Sequence, residues 1–187
     1  MDHATGGVLL IDKPKAWTSF DVVGKLRWAL WYHFGKKVKI GHAGTLDPLA
    51  TGLLILCTGK ETKNIESYQA AEKEYEGEFF LGATTPSYDL ETEINERFQT
   101  AHIDDELMKK AALSLTGTLW QEPPAHSAKW IGGKRAYHFA RAGKPVEMKK
   151  AEIRVREFEL LGRDGALVKF RISCSKGTYI RSLARDF

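Results

Sequence analysis

One stretch of this sequence concentrates what a reaction centre needs. Gly41 to Gly52 reads GHAGTLDPLATG, with three glycines, one proline and a single carboxylate, Asp47. Glycines let a loop adopt backbone conformations that other residues resist. A carboxylate held in such a loop can act as a nucleophile or as a proton acceptor. A second reading needs no chemistry. Aspartate is a good helix N-cap and proline suits the first helical position, so Asp47-Pro48 could open a short helix. The local pattern leaves both readings open.

Other chemistries have less to stand on. The six histidines (His3, His33, His42, His102, His126 and His138) show neither HxxxH nor HExxH spacing, and no CxxC is present, so no metal site is expected. Cys57 and Cys174 lie in apolar runs and read as reduced, buried thiols rather than a disulfide. Gly59-Lys60-Glu61 lacks the Ser or Thr that follows a phosphate-loop lysine, and neither a dinucleotide fingerprint nor a G-x-S-x-G elbow occurs. Asp89 and Glu91 sit in an acidic stretch and read as water-binding surface groups.

The 187 residues carry a net charge of +4 and a pI near 9.0. Lys36, Lys37 and Lys39 lead into the Asp47 loop, and Lys60 and Lys63 follow it. A second basic run holds Lys129, Lys134, Arg135, Arg141 and Lys144. Basic runs flanking Gly-rich loops and aromatics favour nucleic acid as the partner. No apolar run approaches the roughly 18 residues of a membrane span, so no membrane role is expected. The N-terminus has no basic segment before its short apolar run, and a cytoplasmic protein is the expectation.

The elements that must position these groups follow from periodicity. Gly7 to Ile11 reads as a strand. Thr18 to Asp21 resembles a capping box, opening a helix to about Trp31 with Val22, Val23, Leu26 and Leu30 inward. LLILCTG after the Asp47 loop is a buried strand. Glu74 to Leu81 alternates with Tyr75, Gly77 and Phe79 on one face. Gly82 to Thr100 reads as a surface loop. Asp104 to Thr116 is a helix with Leu107, Ala111 and Leu115 in a row and Gly117 as its C-cap. Gln121 to Gly143 looks like an ordered functional loop ending in a short helix through Tyr137 to Ala140. Ala151 to Leu161 and Leu167 to Cys174 are strands, the second with Val168, Phe170, Ile172 and Cys174 inward. A turn at Ser175 to Thr178 leads into a helix that stops at Phe187 after barely two turns, without a stop signal, so a chain cut short at its C-terminus is expected.

GHAGTLDPLATGLL resembles the catalytic loop of the TruB family of tRNA pseudouridine synthases. GVLLIDKPKAWTSFDVV, EYEGEFFLGATTPSYDLET, QEPPAHSAKWIGGKRAYHFARAG and CSKGTYIRSLARD resemble further motifs of that family, in family order along nearly the whole chain. The resemblance implies an α+β pseudouridine synthase fold: a mixed, mostly antiparallel sheet flanked by helices, with an active-site cleft. Residues 1–187 would form the catalytic domain with its C-terminal part missing, and without the small RNA-binding PUA domain that many members add. The implied activity is isomerisation of a T-loop uridine of tRNA to pseudouridine, with no cofactor and no metal, by a protein expected to be a monomer. Two alternatives are a guide-RNA-directed enzyme of the same family acting on ribosomal RNA, and a non-catalytic RNA-binding module.

Residue by residue, the resemblance assigns Asp47 as the catalytic carboxylate and Arg181 as the arginine that pairs with it. Tyr75 matches a tyrosine that stacks on the flipped base, and Tyr179 a second active-site tyrosine. His42 matches a histidine that helps hold nucleotides, while Lys13, Lys63 and Lys129 align with basic positions near the RNA backbone. Departures are Ala16, where members usually have glycine, Pro86 for a common aspartate, and His126 for a common aromatic residue.

Overall fold

The computed structural model describes residues 5–145 and 147–187. His3 and the side chain of Arg141, both counted in the sequence reading, lie outside the described residues. Contacts group the chain into two compact units, Met1–Ala71 and Glu72–Phe187.

In the first unit, β1 (Gly6–Lys13) is followed by α1 (Ser19–Phe34), β2 (Ile40–His42) and β3 (Gly52–Gly59). A 3-10 turn (Lys60–Asn64) and α2 (Ile65–Ala70) close it. The three strands form an antiparallel sheet in the order β1-β3-β2. The capping box forms as expected. Asp21 N–H donates to Thr18 Oγ1 at 3.1 Å, and Thr18 N–H donates to Asp21 Oδ2 at 2.8 Å. Helix α1 runs past Trp31 to Phe34 and stops at Gly35, whose φ of 64° only glycine adopts without strain. Val22 and Val23 pack with Val38, Ile40, Leu54 and Leu56, and Leu26 and Leu30 join from the edge.

In the second unit, β4 (Lys73–Phe80) precedes the short β5 (Ala83–Thr84) and β6 (Glu96–Arg97). Then come α3 (Asp105–Ser114), β7 (Gly117–Gln121), the hairpin strands β8 (Trp130–Ile131) and β9 (Lys134–Arg135), and α4 (Ala136–Arg141). The chain finishes with β10 (Ala151–Asp164), β11 (Leu167–Cys174) and α5 (Ile180–Asp186). The main sheet is antiparallel in the order β4-β11-β10-β7. Phe79, Ile153, Val155, Phe170, Ile172, Cys174 and Leu183 form its core. Gly77 faces Phe170 across the ladder, and a Cβ there would come within 2.8 Å of the Phe170 ring. Cys57 and Cys174 are free, buried thiols, and burial pushes both upward from the usual thiol pKa.

Two expectations need correction. Helix α3 buries Met108 and Ala112, whereas Leu107 is exposed, and the helix ends at Ser114 with Leu115 as its C-cap. Both rows satisfy helical spacing, and packing on β10 selects the row one residue later. Gly117 opens β7 instead of capping the helix. The segment Gly82 to Thr100 is not a plain surface loop: it contains the β5–β6 pair, and Ser87 within it is fully buried.

Candidate active site

Asp47 lies between β2 and β3, and both of its neighbours are anchored. The buried Ser19 at the start of α1 donates its hydroxyl to the Leu46 carbonyl at 3.2 Å and accepts the Leu46 N–H at 2.9 Å. The Pro48 carbonyl accepts the Ala16 N–H at 2.8 Å and Lys13 Nζ at 3.3 Å. The Asp47 carbonyl accepts the Ala50 N–H at 3.1 Å, closing one turn, and the next element is the strand β3. The N-cap reading of Asp47 therefore fails, because no helix follows for it to cap.

Lys13 does not sit where a backbone-contacting lysine should. It is fully buried, and its ammonium also donates to the carbonyls of Pro14 at 3.0 Å and Trp17 at 2.5 Å. Three carbonyl acceptors use all three ammonium protons. Desolvation pulls its pKa below the usual lysine value, and the nearby Asp47 and Asp21 carboxylates oppose that pull. Lys13 thus ties the segment from Pro14 to Trp17 to the Asp47 loop, rather than reaching outward. Ala16 in that segment takes φ 68°, the left-handed conformation in which glycine is favoured.

His42 ends β2, and its Nδ1 lies 2.6 Å from the Gly44 carbonyl. A carbonyl only accepts, so Nδ1 carries the proton. Lys63 is exposed on the 3-10 turn, where with Lys39, Gly41 and Ile65 it lines a groove of about 320 Å³.

In the second unit, Arg181 occupies the first turn of α5 with its side chain only 12% exposed. Its Nη1 donates to the carbonyls of Ser87 at 3.1 Å and His126 at 3.0 Å, and its Nε lies 3.6 Å from Asp89 Oδ2. The contact at residue 126 uses backbone, so the histidine there preserves it. Asp89 is no water-binding surface group. Its Oδ1 accepts the Ser87 hydroxyl at 2.5 Å and the Glu91 N–H at 2.9 Å, which aims Oδ2 at the guanidinium.

Tyr179 precedes α5, and the buried Gln121 at the end of β7 holds its backbone through two hydrogen bonds. Ser182, also buried, donates to the Glu122 carbonyl at 2.8 Å. Tyr75 is half-buried on β4, opposite Ile172, and packs against the core that receives Ile180 and Leu183. Lys129 donates its ammonium to the Lys149 carbonyl at 3.3 Å. Residue types alone did not single out Ser19, Asp89 or Gln121. The one available signal for Asp89 was its place inside a stretch that matched a family motif.

Comparison with known proteins places these features in context. The N-terminal domain profile described as TruB family pseudouridylate synthase matches residues 32–180. A protein of Flavobacterium johnsoniae named tRNA pseudouridine synthase B is 52% identical over all of this chain and 82% of its own length. One of the same name from Parabacteroides distasonis is 50% identical over all of this chain and 80% of its own length. One from Chlorobaculum tepidum is 48% identical, covering 97% of this chain and 75% of its own. A chain in the crystal structure of a Cbf5-Nop10-Gar1 complex matches 97% of this chain with a TM-score of 0.69 and 26% identity, and this chain spans 43% of it.

Proposed function

The chain belongs to the TruB family of pseudouridylate synthases, and on that premise we propose that it isomerises a uridine of tRNA, in the T loop, to pseudouridine. The observation that carries this reading is the Asp47 loop, with its full motif and its two anchored neighbours. The reaction breaks the bond between uracil N1 and the ribose C1′, turns the base, and joins C5 to C1′. C5 then loses a proton and N1 gains one. Atoms and electrons balance within the nucleotide, so the proposal needs neither oxidant nor cofactor.

Asp47 supplies the charge at the glycosidic centre, as nucleophile at C1′ or as base. Arg181 is the cation proposed to keep that carboxylate ionised, since a nearby guanidinium favours the charged form. Tyr75 stacks on the extruded base, an interaction of about 1–3 kcal/mol that offsets a comparable cost of unstacking. Tyr179 and His42 line the nucleotide. Lys63 and Lys129 contact the phosphate backbone, which adds affinity without reading sequence.

The test is pseudouridine formation on a T stem-loop RNA by the wild type and by Asp47→Asn. Product from the wild type and none from the variant is expected, with similar RNA affinity. Equal product from both would remove Asp47 from the chemistry. A guide-RNA-directed enzyme of the same family, acting on ribosomal RNA, is the second reading. It has weaker support, since the Cbf5 chain is 26% identical against 52% for the tRNA-named relative.

A further inference from the structure

Helix α1 presents rings that the fold does not use. Phe20, Trp28, Trp31 and Tyr32 are 64%, 58%, 50% and 77% exposed, while Val22 and Val23 fill the core. Spacings of three and four residues align Phe20, Gly24, Arg27 and Trp31 in one row, with Trp28 and Tyr32 beside it. Trp28 and Tyr32 stack with centroids 5.7 Å apart and 15° between planes. Lys25 Nζ lies 5.5 Å from the Trp28 ring centre, and the Arg27 guanidinium 5.8 Å from that of Phe20.

Gly24 is the second observation. It sits inside the helix, where glycine is a poor choice. A Cβ there would meet no atom within 4 Å, so packing does not require glycine. It floors a groove of about 590 Å³ walled by Ala16, Trp17, Phe20, Asp21 and Lys25. The Asp21 carboxylate is occupied, accepting from both Thr18 N–H and Thr18 Oγ1. The groove adjoins the Asp47 loop, because Ala16 and Ser19 hold Pro48 and Leu46.

We propose that this face of α1 binds unpaired nucleotides of an RNA, with bases on the rings and over Gly24 and phosphates against Lys25 and Arg27. The inference rests on the reading that the chain acts on RNA. Flat rings bordered by cations match a chain that alternates π-faces with phosphates. The charge of the unit fits, with nine Lys and Arg against five Asp and Glu over residues 5–71. A lipid surface would take a continuous apolar face, but Gly24, Lys25 and Arg27 interrupt this one.

The experiment measures binding of a short, unstructured oligouridylate to the full chain by tryptophan fluorescence. Trp28→Ala, Gly24→Gln and Leu113→Ala are compared with the wild type. Trp28→Ala removes a ring, while Gly24→Gln fills the floor with a better helix former and so tests the groove without weakening the helix. Each is expected to raise Kd about tenfold, the equivalent of about 1.4 kcal/mol and within the range for one stacked base. Leu113→Ala, an exposed change on α3, should bind as the wild type does. A 5-iodouridine version of the probe should crosslink to the α1 peptide. Unchanged Kd in both Trp28→Ala and Gly24→Gln, crosslinks confined to other peptides, or a wild-type dimer that Trp28→Ala dissociates would each overturn the proposal. Pseudouridine formation on the T stem-loop is assayed in parallel. Turnover without Gly24-sensitive oligouridylate binding removes the groove alone. Gly24-sensitive binding without turnover keeps the groove and removes the enzymatic reading.

Discussion

The side-chain amide of Gln121 grips the backbone of Tyr179 with both polar atoms, donating Nε2–H to its carbonyl at 3.0 Å and accepting its N–H at 2.8 Å. Tyr179 makes no side-chain cap for α5, so this amide aligns the helix whose first turn carries Arg181. In Gln121→Ala the Tyr179 N–H loses its acceptor, at about 1–3 kcal/mol for an unsatisfied group, while the Tyr179 carbonyl keeps the Leu183 N–H. The expected result is a lower unfolding free energy in urea and a fall in kcat with KM little changed. A variant that keeps wild-type kcat would show that α5 is aligned by other contacts.

Arg181 and Asp89 form the second relationship that matters. Asp89→Asn keeps the oxygen that accepts from Ser87 and Glu91, but it removes the charge facing the guanidinium. Turnover should fall at least tenfold with RNA affinity nearly unchanged. Arg181→Lys should lose most activity, because a point charge cannot serve Ser87, His126 and Asp89 in one plane. Single-turnover assays beside RNA-binding isotherms separate the two effects.

Lys13→Met takes the ammonium donor from the Pro14 and Trp17 carbonyls, while Pro48 keeps the Ala16 N–H, and it should lower stability by about 1–3 kcal/mol for each group left unsatisfied. The pH dependence has a definite sign. Burial lowers the Lys13 pKa in the folded state, so between that value and 10.5 the unfolded chain holds the extra proton. Stability rises with pH wherever the unfolded state binds more protons. The wild-type unfolding free energy, referenced to Lys13→Met, should therefore increase as pH rises through the lowered value toward 10.5 and fall as pH drops back through it. Urea titrations across the alkaline range would reveal a flat difference if Lys13 were freely solvated.

Ala16 holds φ 68°. A left-handed conformation costs an L-residue about 1–2 kcal/mol, and glycine's extra entropy returns about 0.5–1 kcal/mol of that. Ala16→Gly is expected to stabilise the protein by about 0.5–1 kcal/mol in thermal or urea melts. A destabilised variant would mean that the methyl group contributes packing on the groove wall.

Lys63 is exposed and lines a groove with Lys39 and Gly41. Lys63→Ala should weaken RNA binding uniformly across sequences. It should also reduce the slope of log K against log salt by about 0.7–0.9, the value of one released counterion. An unchanged slope would place Lys63 off the RNA.

Local rules were enough to read much of this fold. The capping box at Thr18, the alternation of β4 and the inward row of β11 are near-neighbour effects, and they form as the periodicities require. The α3 register was not legible, because Leu107 and Met108 both begin acceptable apolar rows and only β10 decides between them. Asp89 was misread for the same kind of reason, since an acidic surface loop and a half-buried, paired anion share a composition.

By itself the sequence determined the family, the α+β class and the Asp47 loop, because a motif and a period need only neighbouring residues. The tertiary structure decided how the candidate residues of each unit are held. It buried Lys13, set Gln121 on Tyr179 across 58 residues, and brought the Ser87 carbonyl to Arg181 across 94. Such pairings depend on how strands and helices pack. A hydrogen bond or ion pair between distant segments leaves no periodic trace along the chain.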